Sequence, residues 1–320
     1  MHEEPHESSG DELLLPTQLP ADHRSGFVAV VGKPNVGKST LINAYIGYKV
    51  AIVSPKPQTT RRRIEGILTL PQAQIVFIDT PGIHKPQHKL GEYMLEVAQR
   101  AVRGVDLILW MADVSQPPSE EDVQIAQLLT EKVPAPIILA LNKMDLLPPD
   151  KVMPHSEAYF ALLKADDWMM VSATRGDNRD KLLEMVIARL PPGPQYYPSE
   201  QFTDQDERTL VAELIWEAAL HHLQKEVPYG VAVVIEEYSE RRENLVHIAA
   251  TVYVEKTTHK GIVLGRGGGM IKRIGQAARR EIERLLGRQV YLELWVKVRP
   301  RWRKDEVALR SLGFALPEES

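Results

Sequence analysis

Between the apolar run Phe27–Val31 and a helical stretch opening at Lys38, the chain reads Gly32-Lys33-Pro34-Asn35-Val36-Gly37-Lys38-Ser39-Thr40. Glycines flanking four residues, followed by Lys and a hydroxyl, make a phosphate cradle only where a strand runs into a helix N-terminus. The glycines let backbone amides turn inward around the phosphates. Lys38 then reaches the β- and γ-phosphates, the Ser39 hydroxyl ligates magnesium, and Thr40 continues the phosphate-contacting run. The pattern therefore demands a strand–loop–helix unit.

The remainder of the first half agrees with that demand. Ile64–Leu70 and Gln74–Ile78 read as a hairpin around Pro71, and Val105–Ala112, Pro136–Leu141 and Met169–Ser172 as buried strands. Helical stretches alternate with them at Lys38–Ile46, Lys89–Arg103, Ser119–Leu129, Val152–Leu163 and Arg179–Leu190. Such alternation implies crossover units: an α/β P-loop domain over 25–190, with a mostly parallel sheet and helices on both faces. Four prolines and a glycine in Leu190–Pro198 cannot continue a helix or central strand, so 191–200 is expected to be a linker. Residues 201–320 then form a smaller α+β unit with a basic C-terminal extension. Residues 1–24 hold six acids against Arg24 alone and are expected to be a mobile acidic tail, with Leu13-Leu14-Leu15 as a conceivable docking motif.

Composition removes whole classes of function. The chain has no cysteine, which excludes disulfides, thiolate metal centres and cysteine nucleophiles. It shows no long apolar run for a membrane span and no basic, apolar leader, so a cytoplasmic protein is expected.

The base follows from a second motif. Asn142-Lys143-Met144-Asp145 ends the apolar run Ile137–Leu141, and a carboxylate at Asp145 can accept from both N1–H and the N2 amine of guanine. Ser172-Ala173-Thr174 ends the next strand and supplies a backbone amide for guanine O6. Asp79-Thr80-Pro81-Gly82 closes Gln74–Ile78, with Asp79 in the magnesium shell and the Gly82 amide sensing the γ-phosphate. Thr59 and Thr60 are the switch I candidates; one of them, preferentially Thr60, closes over magnesium. Ile83 stands where a water-orienting glutamine is often found, and it cannot orient water by hydrogen bonding. Asn35 either helps coordinate a potassium ion near the transferring phosphoryl group or simply caps the turn. GTP or GDP, Mg2+ and optionally K+ are thus the expected small partners.

The second unit carries a charge asymmetry. Lys256–Lys304 contains fourteen Lys and Arg against three acids, in a chain whose formal net charge is -4. Inside it, Gly265-Arg266-Gly267-Gly268 precedes a basic helix bearing Lys272, Arg273, Arg279 and Arg280. A G-x-x-G loop between helices lets backbone approach backbone, and the order helix-strand-strand-helix-helix-strand resembles a type II KH domain, whose groove takes single-stranded RNA. Arg299, Arg301, Trp302, Arg303 and Lys304 read as a further basic, aromatic RNA contact.

Taken in order, Gly-x-Pro-Asn-x-Gly-Lys-Ser, Gln-Thr-Thr-Arg, Asp-Thr-Pro-Gly, Asn-Lys-Met-Asp, Ser-Ala-Thr and a KH-like unit resemble the Era family of GTPases over roughly residues 25–315. That resemblance implies a ribosome-associated GTPase, binding near the 3′ end of small-subunit (16S) ribosomal RNA and assisting assembly of the 30S subunit. It also implies a monomer with no obligate protein partner, and a loose peripheral contact with the inner face of the membrane. The acidic tail departs from the common family pattern. Two alternatives remain: a GTPase serving a tRNA-modifying enzyme, which the absence of a C-terminal cysteine disfavours, and an ATP-using P-loop kinase, which Asp145 disfavours.

Overall fold

The computed structural model describes residues 19–316 apart from 55, 57, 58 and 133. The expected acidic tail and its leucine motif lie outside the described residues as far as residue 18. The tail is shorter than 1–24, however. His23 is buried, and Arg24 already pairs with Ala73 as the first residue of β1 (Arg24–Val31).

β1 sits at the centre of a six-stranded sheet. It pairs in parallel with β3 (Ala73–Asp79) on one side and β4 (Leu107–Asp113) on the other. β5 (Ile137–Asn142) and β6 (Asp167–Met170) continue outward in parallel, while β2 (Ile64–Leu70) closes the far edge antiparallel to β3. Every residue of β3 is buried, as a strand covered on both faces requires. Val28 and Val30 of β1 face α1 (Lys38–Ile46) and α5 (Arg179–Arg189), whereas Ala29 and Val31 face α2 (Lys89–Ala101), α3 (Glu120–Lys132) and α4 (Val152–Phe160). The period of two along one strand thus feeds two separate cores. β6 begins at Asp167, earlier than its apolar residues suggest, because an edge strand tolerates the exposed Trp168.

The second unit runs α6 (Glu207–His222), β7 (Ala232–Arg242), β8 (Leu245–Val254), α7 (Thr257–Leu264), α8 (Gly269–Leu286), β9 (Gln289–Val298) and α9 (Glu306–Ser311). β8 is central, antiparallel to β7 and parallel to β9. Ile274, Ala278 and Ile282, four residues apart on α8, pack onto the alternating Ile248, Ala250 and Val252 of β8. The α6 helix stops at His222, where Leu223 turns extended, and Lys225 takes a positive φ of 54°. One expectation fails for one of its five residues. Trp302 belongs to the core: it is fully buried and its indole N–H donates to the Gly230 carbonyl at 2.9 Å. Arg303 pairs with Glu255, and Arg301 and Lys304 are exposed.

The proline-rich linker is a strap bonded to the first domain. Ser25 N donates to Pro191 O, and Gly193 N to His23 O. The buried Gln74 amide accepts from Tyr196 N and Tyr197 N and donates to Tyr197 O. Beyond it, Ile67 N donates to Phe202 O and the Thr203 hydroxyl to Glu65 O, so the strap extends the β2 edge before α6 begins.

Lys49, Lys56, Arg61 and Arg62 of the first domain reach into the second. Arg61 is 3% exposed; its Nη1 donates to Val231 O at 2.6 Å and its Nη2 to Tyr229 O at 3.1 Å. Its guanidinium lies 4.0 Å from the centre of the Trp216 ring and 6.0 Å from that of Trp302. Arg62 covers Phe314 and donates to Leu312 O, Lys49 meets Glu217 at 2.6 Å, and Lys56 donates to the Leu220 and Leu223 carbonyls where α6 ends. Burial pushes the Glu213 carboxyl up in this seam, opposed by the charges of Arg62 and Arg61. From α2, Leu90 and Met94 pack against Trp302, Leu309 and Phe314.

Replacing Arg61 by Ala strands two carbonyls and opens the gap between the tryptophans. Arg61→Ala is expected to cost about 2–4 kcal/mol, read from the midpoint of urea unfolding. Arg61→Lys should recover only part of that, because an ammonium cannot serve both carbonyls while stacking on an indole.

Candidate nucleotide site and RNA groove

A cavity of about 430 Å³ opens at the C-terminal ends of β1, β3 and β5, the usual place for a ligand on a parallel sheet. Pro34, Asn35, Gly37, Lys38, Ser39, Thr40, Gly82 and Lys143 line it, with Thr59 and Thr60 on the opposite wall. Gly37 has φ 104°, and a Cβ there would stand 2.3 Å from Asn142 Nδ2, so no side chain fits. A Cβ on Gly82 would lie 2.6 Å from Pro34 N, which keeps the strand-end loop against the phosphate loop. Asn35 takes the left-handed φ of 62° that asparagine tolerates well, a conformation compatible with both of its expected roles.

Lys38 is buried and donates to the carbonyls of Gly32 and Lys33, both at 3.1 Å. Burial lowers its pKa to about 8 against the attraction of Asp79. Ser39 Oγ donates to Asp79 Oδ2 at 2.6 Å and lies 3.1 Å from Thr60 Oγ1, which itself donates to Asp79 Oδ2 at 3.0 Å. Burial also pushes the Asp79 carboxyl up, opposed by Lys38, Ser39 and Thr60. Asp79 Oδ1 is buried without a hydrogen-bond partner among the described residues. Three oxygen-bearing side chains and an orphaned carboxylate oxygen form a donor set that suits a hard cation such as Mg2+. Thr60, rather than Thr59, joins this cluster.

The expected phosphate residues do not all contribute side chains. Lys33 turns away, with Nζ 2.7 Å from Asp122 Oδ2 and 3.3 Å from Ser119 Oγ. The Val36 side chain is core, so both residues offer backbone alone. Ile83 packs in the core beneath the loop, with its amide donating to Gly32 O at 3.3 Å; its side chain has no access to a water in the cavity.

The base-reading residues form one linked unit. Asn142 is buried; its Nδ2 donates to Val36 O at 2.6 Å and its Oδ1 accepts from Ala173 N at 2.9 Å. It ties the phosphate loop, the β5 end and the Ser172-Ala173-Thr174 loop together. Lys143, at φ 65°, meets Asp113 at 2.6 Å, a partner the sequence did not mark. Ser172 is buried and its hydroxyl accepts from Arg175 N. With the Ala173 amide committed to Asn142, the Thr174 amide is the one of the three without an acceptor among the described residues. Asp145 stands half-buried beside this loop.

In the second domain, Gly265–Gly268 joins α7 to α8, and Gly268 caps α8 at φ 77° with nothing within 4 Å of a Cβ position. A groove of about 320 Å³ runs beside it along α8, between Lys272, Gly275 and Arg279 and the β9 residues Leu292 and Leu294. Arg266, Lys272, Arg273, Arg279 and Arg280 are all exposed. Lys272 and Arg279 line the groove; Arg273 and Arg280 stand one position further round the helix.

Asn142→Ala removes the tie itself. Nucleotide-free protein is expected to lose about 2 kcal/mol through the stranded Val36 carbonyl and Ala173 amide, visible as a lower melting temperature before any ligand is added. GDP affinity should fall with it in a calorimetric titration.

Comparison with known proteins matches both domains. A family described as 50S ribosome-binding GTPase matches residues 27–143, and the KH domain family matches residues 226–303. GTPase Era of Ruminiclostridium cellulolyticum is 46% identical over 292 residues, covering 91% of this chain and 98% of that protein. GTPase Era of Heliobacterium modesticaldum is 47% identical over 291 residues, covering 91% and 97%. Among solved structures, Era in complex with MgGDPNP and nucleotides 1506-1542 of 16S ribosomal RNA superposes with a TM-score of 0.87 at 39% identity, over 92% of this chain and all of that one. An Aquifex aeolicus Era variant bound to GDP and AlF4− matches equally well, with a TM-score of 0.87 at 39% identity. With a phosphate loop, a base-reading unit and a G-x-x-G groove matched along nearly its full length, the chain belongs to the Era family of GTPases.

Proposed function

We propose that the chain is a Mg2+-dependent GTPase whose nucleotide state governs how its KH domain holds the 3′ region of small-subunit ribosomal RNA during assembly of that subunit. The observation that carries this reading is the adjacency of Thr60 and Arg61. Thr60 faces Ser39 and Asp79 at the candidate magnesium site, and the next side chain is buried in the second domain. A change at the γ-phosphate that moves Thr60 must move Arg61. The solved Era complex with MgGDPNP and 16S ribosomal RNA supports the two ligand classes.

Ser39, Thr60 and Asp79 would hold the ion, which when bound neutralises charge between the β- and γ-phosphates. Lys38 exchanges its loop carbonyls for phosphate oxygens, and the Gly82 amide faces the γ-phosphate. Asp145 accepts from guanine N1–H and N2, and the Thr174 amide donates to O6. Water must be oriented without a glutamine, since Ile83 is core. A potassium ion at Asn35 supplies positive charge beside the transferring phosphoryl group. The protein works as a monomer on the 30S subunit, and any contact with the inner face of the membrane would use the same basic face of α8.

Three measurements test this reading. Asp145→Asn should move preference from GTP toward xanthosine triphosphate by roughly a hundredfold or more, because the carboxylate that pairs with two guanine donors is gone; unchanged GTP preference counts against the base assignment. GTP turnover should be roughly tenfold or more faster in potassium than in sodium salts, and Asn35→Ala should abolish the difference. For RNA, Gly268→Asp should weaken binding of a 16S 3′-end oligonucleotide while GDP binding stays intact.

A further inference from the structure

We infer that the open half of the C-terminal sheet is a stacking platform for single-stranded RNA flanking the segment held in the Gly265–Gly268 groove. The inference rests on the RNA reading of that groove. β9 turns Val290 and Val296 into the core, while Tyr291, Glu293, Trp295 and Lys297 alternate outward. This outer face is closed at one end, where Ala232, Val234 and Tyr253 pack beneath Trp302, Leu309 and Met94. Beyond that cluster two large rings stand in solvent: Tyr291, 57% exposed, toward the other end, and Trp295, 60% exposed, in the row of Thr251 and Val234 beside the closed part. Exposed aromatics on a sheet face are a means of stacking unpaired bases.

Tyr291 is held ready. Its ring stacks on cross-strand His247 with centroids 5.5 Å apart and planes 24° from parallel, and His247 is fixed by Glu237 at 3.0 Å. Trp295 is four residues along the same face, roughly 13 Å away at the usual strand rise, a span suited to about two or three bases.

Continuity and charge favour RNA as the occupant. The groove beside Gly265–Gly268 shares Arg279 with a second depression of about 740 Å³, which passes the C-terminus of α8 between Arg284, Arg288 and Gln289 and ends at Tyr291. A strand leaving the groove therefore meets arginines first and the Tyr291 ring next. The acids on the platform have basic partners: Glu237 meets His247 and Arg241, Glu236 meets Lys297 at 4.0 Å, and Glu293, between the two rings, lies 3.9 Å from His247 Nε2. Because every base has a π-face, the platform responds to RNA length and flexibility more than to sequence.

The test uses the full chain and fluorescence anisotropy with two labelled RNAs, one of about four nucleotides, which a KH groove clamps, and one of about twelve. Tyr291→Ala and Trp295→Ala should each weaken the longer RNA roughly five- to tenfold and leave the shorter unchanged, and Trp295→Phe should restore binding. Both rings are exposed, so melting temperatures should stay at the parent value. Gly268→Asp should weaken both RNAs. If it does so while the ring variants affect neither, the platform is overturned, its rings fall to a protein partner, and the groove stands. Equal loss on both RNAs would put the rings in the groove and also overturn it. If Gly268→Asp changes nothing, the RNA reading itself fails and takes the platform with it.

Discussion

A single buried cation, Arg61, joins the two halves of this protein. A guanidinium with almost no exposure needs its charge and its donors answered; Val231 and Tyr229 take its two Nη groups and Trp216 its face across the domain boundary, while Nε has no partner among the described residues. Removing a charge of this kind from its partners is far more costly than never having placed it there. The seam is thereby specified in register as well as held together. The neighbouring residue on one side faces the magnesium cluster and the one on the other covers Phe314, so the chain around Arg61 has little freedom that is not shared by both domains.

The nucleotide site shows a related economy, in which structural and ligand-facing duties fall on different atoms of one motif. Asn142 is spent inside the protein, on Val36 and Ala173, and Lys143 on Asp113. Asp145 is the residue of that motif to which the proposed reading gives the base. In the phosphate loop, likewise, Lys33 anchors on Asp122 while Lys38 points into the loop, where burial makes its ammonium costly and a phosphate welcome.

Much of this was legible beforehand, for a physical reason. The phosphate and base motifs need particular residue types at strand ends, so Gly32–Ser39, Asp79 and Asn142–Asp145 announce both the chemistry and the α/β sheet carrying it. The G-x-x-G loop announces the second fold in the same way. What stayed hidden depends on partners far along the chain. Arg61 bonds the Val231 carbonyl 170 residues later, just before β7, Gln74 clamps a strap over 120 residues away, and the Trp302 indole seals on Gly230, so the one aromatic of a basic cluster read as an RNA contact is instead part of the core. Element ends moved for local reasons, as at β6, where an edge position admits Trp168.

The strap has a consequence for how tightly the seam must bind. Its hydrogen bonds to the first domain run as far as Asp204, whose Oδ1 accepts from Glu65 N, and Asp206 already caps α6 through Thr209 N. Little more than Gln205 is left as a joint. Two domains on so short a tether meet at a high effective concentration, on the order of millimolar or more. Contacts that would never hold separate molecules together can then keep the domains docked. On the proposed reading, a small push at Thr60 would act on an equilibrium between neighbouring arrangements of a tethered pair, with no need for a dissociated domain.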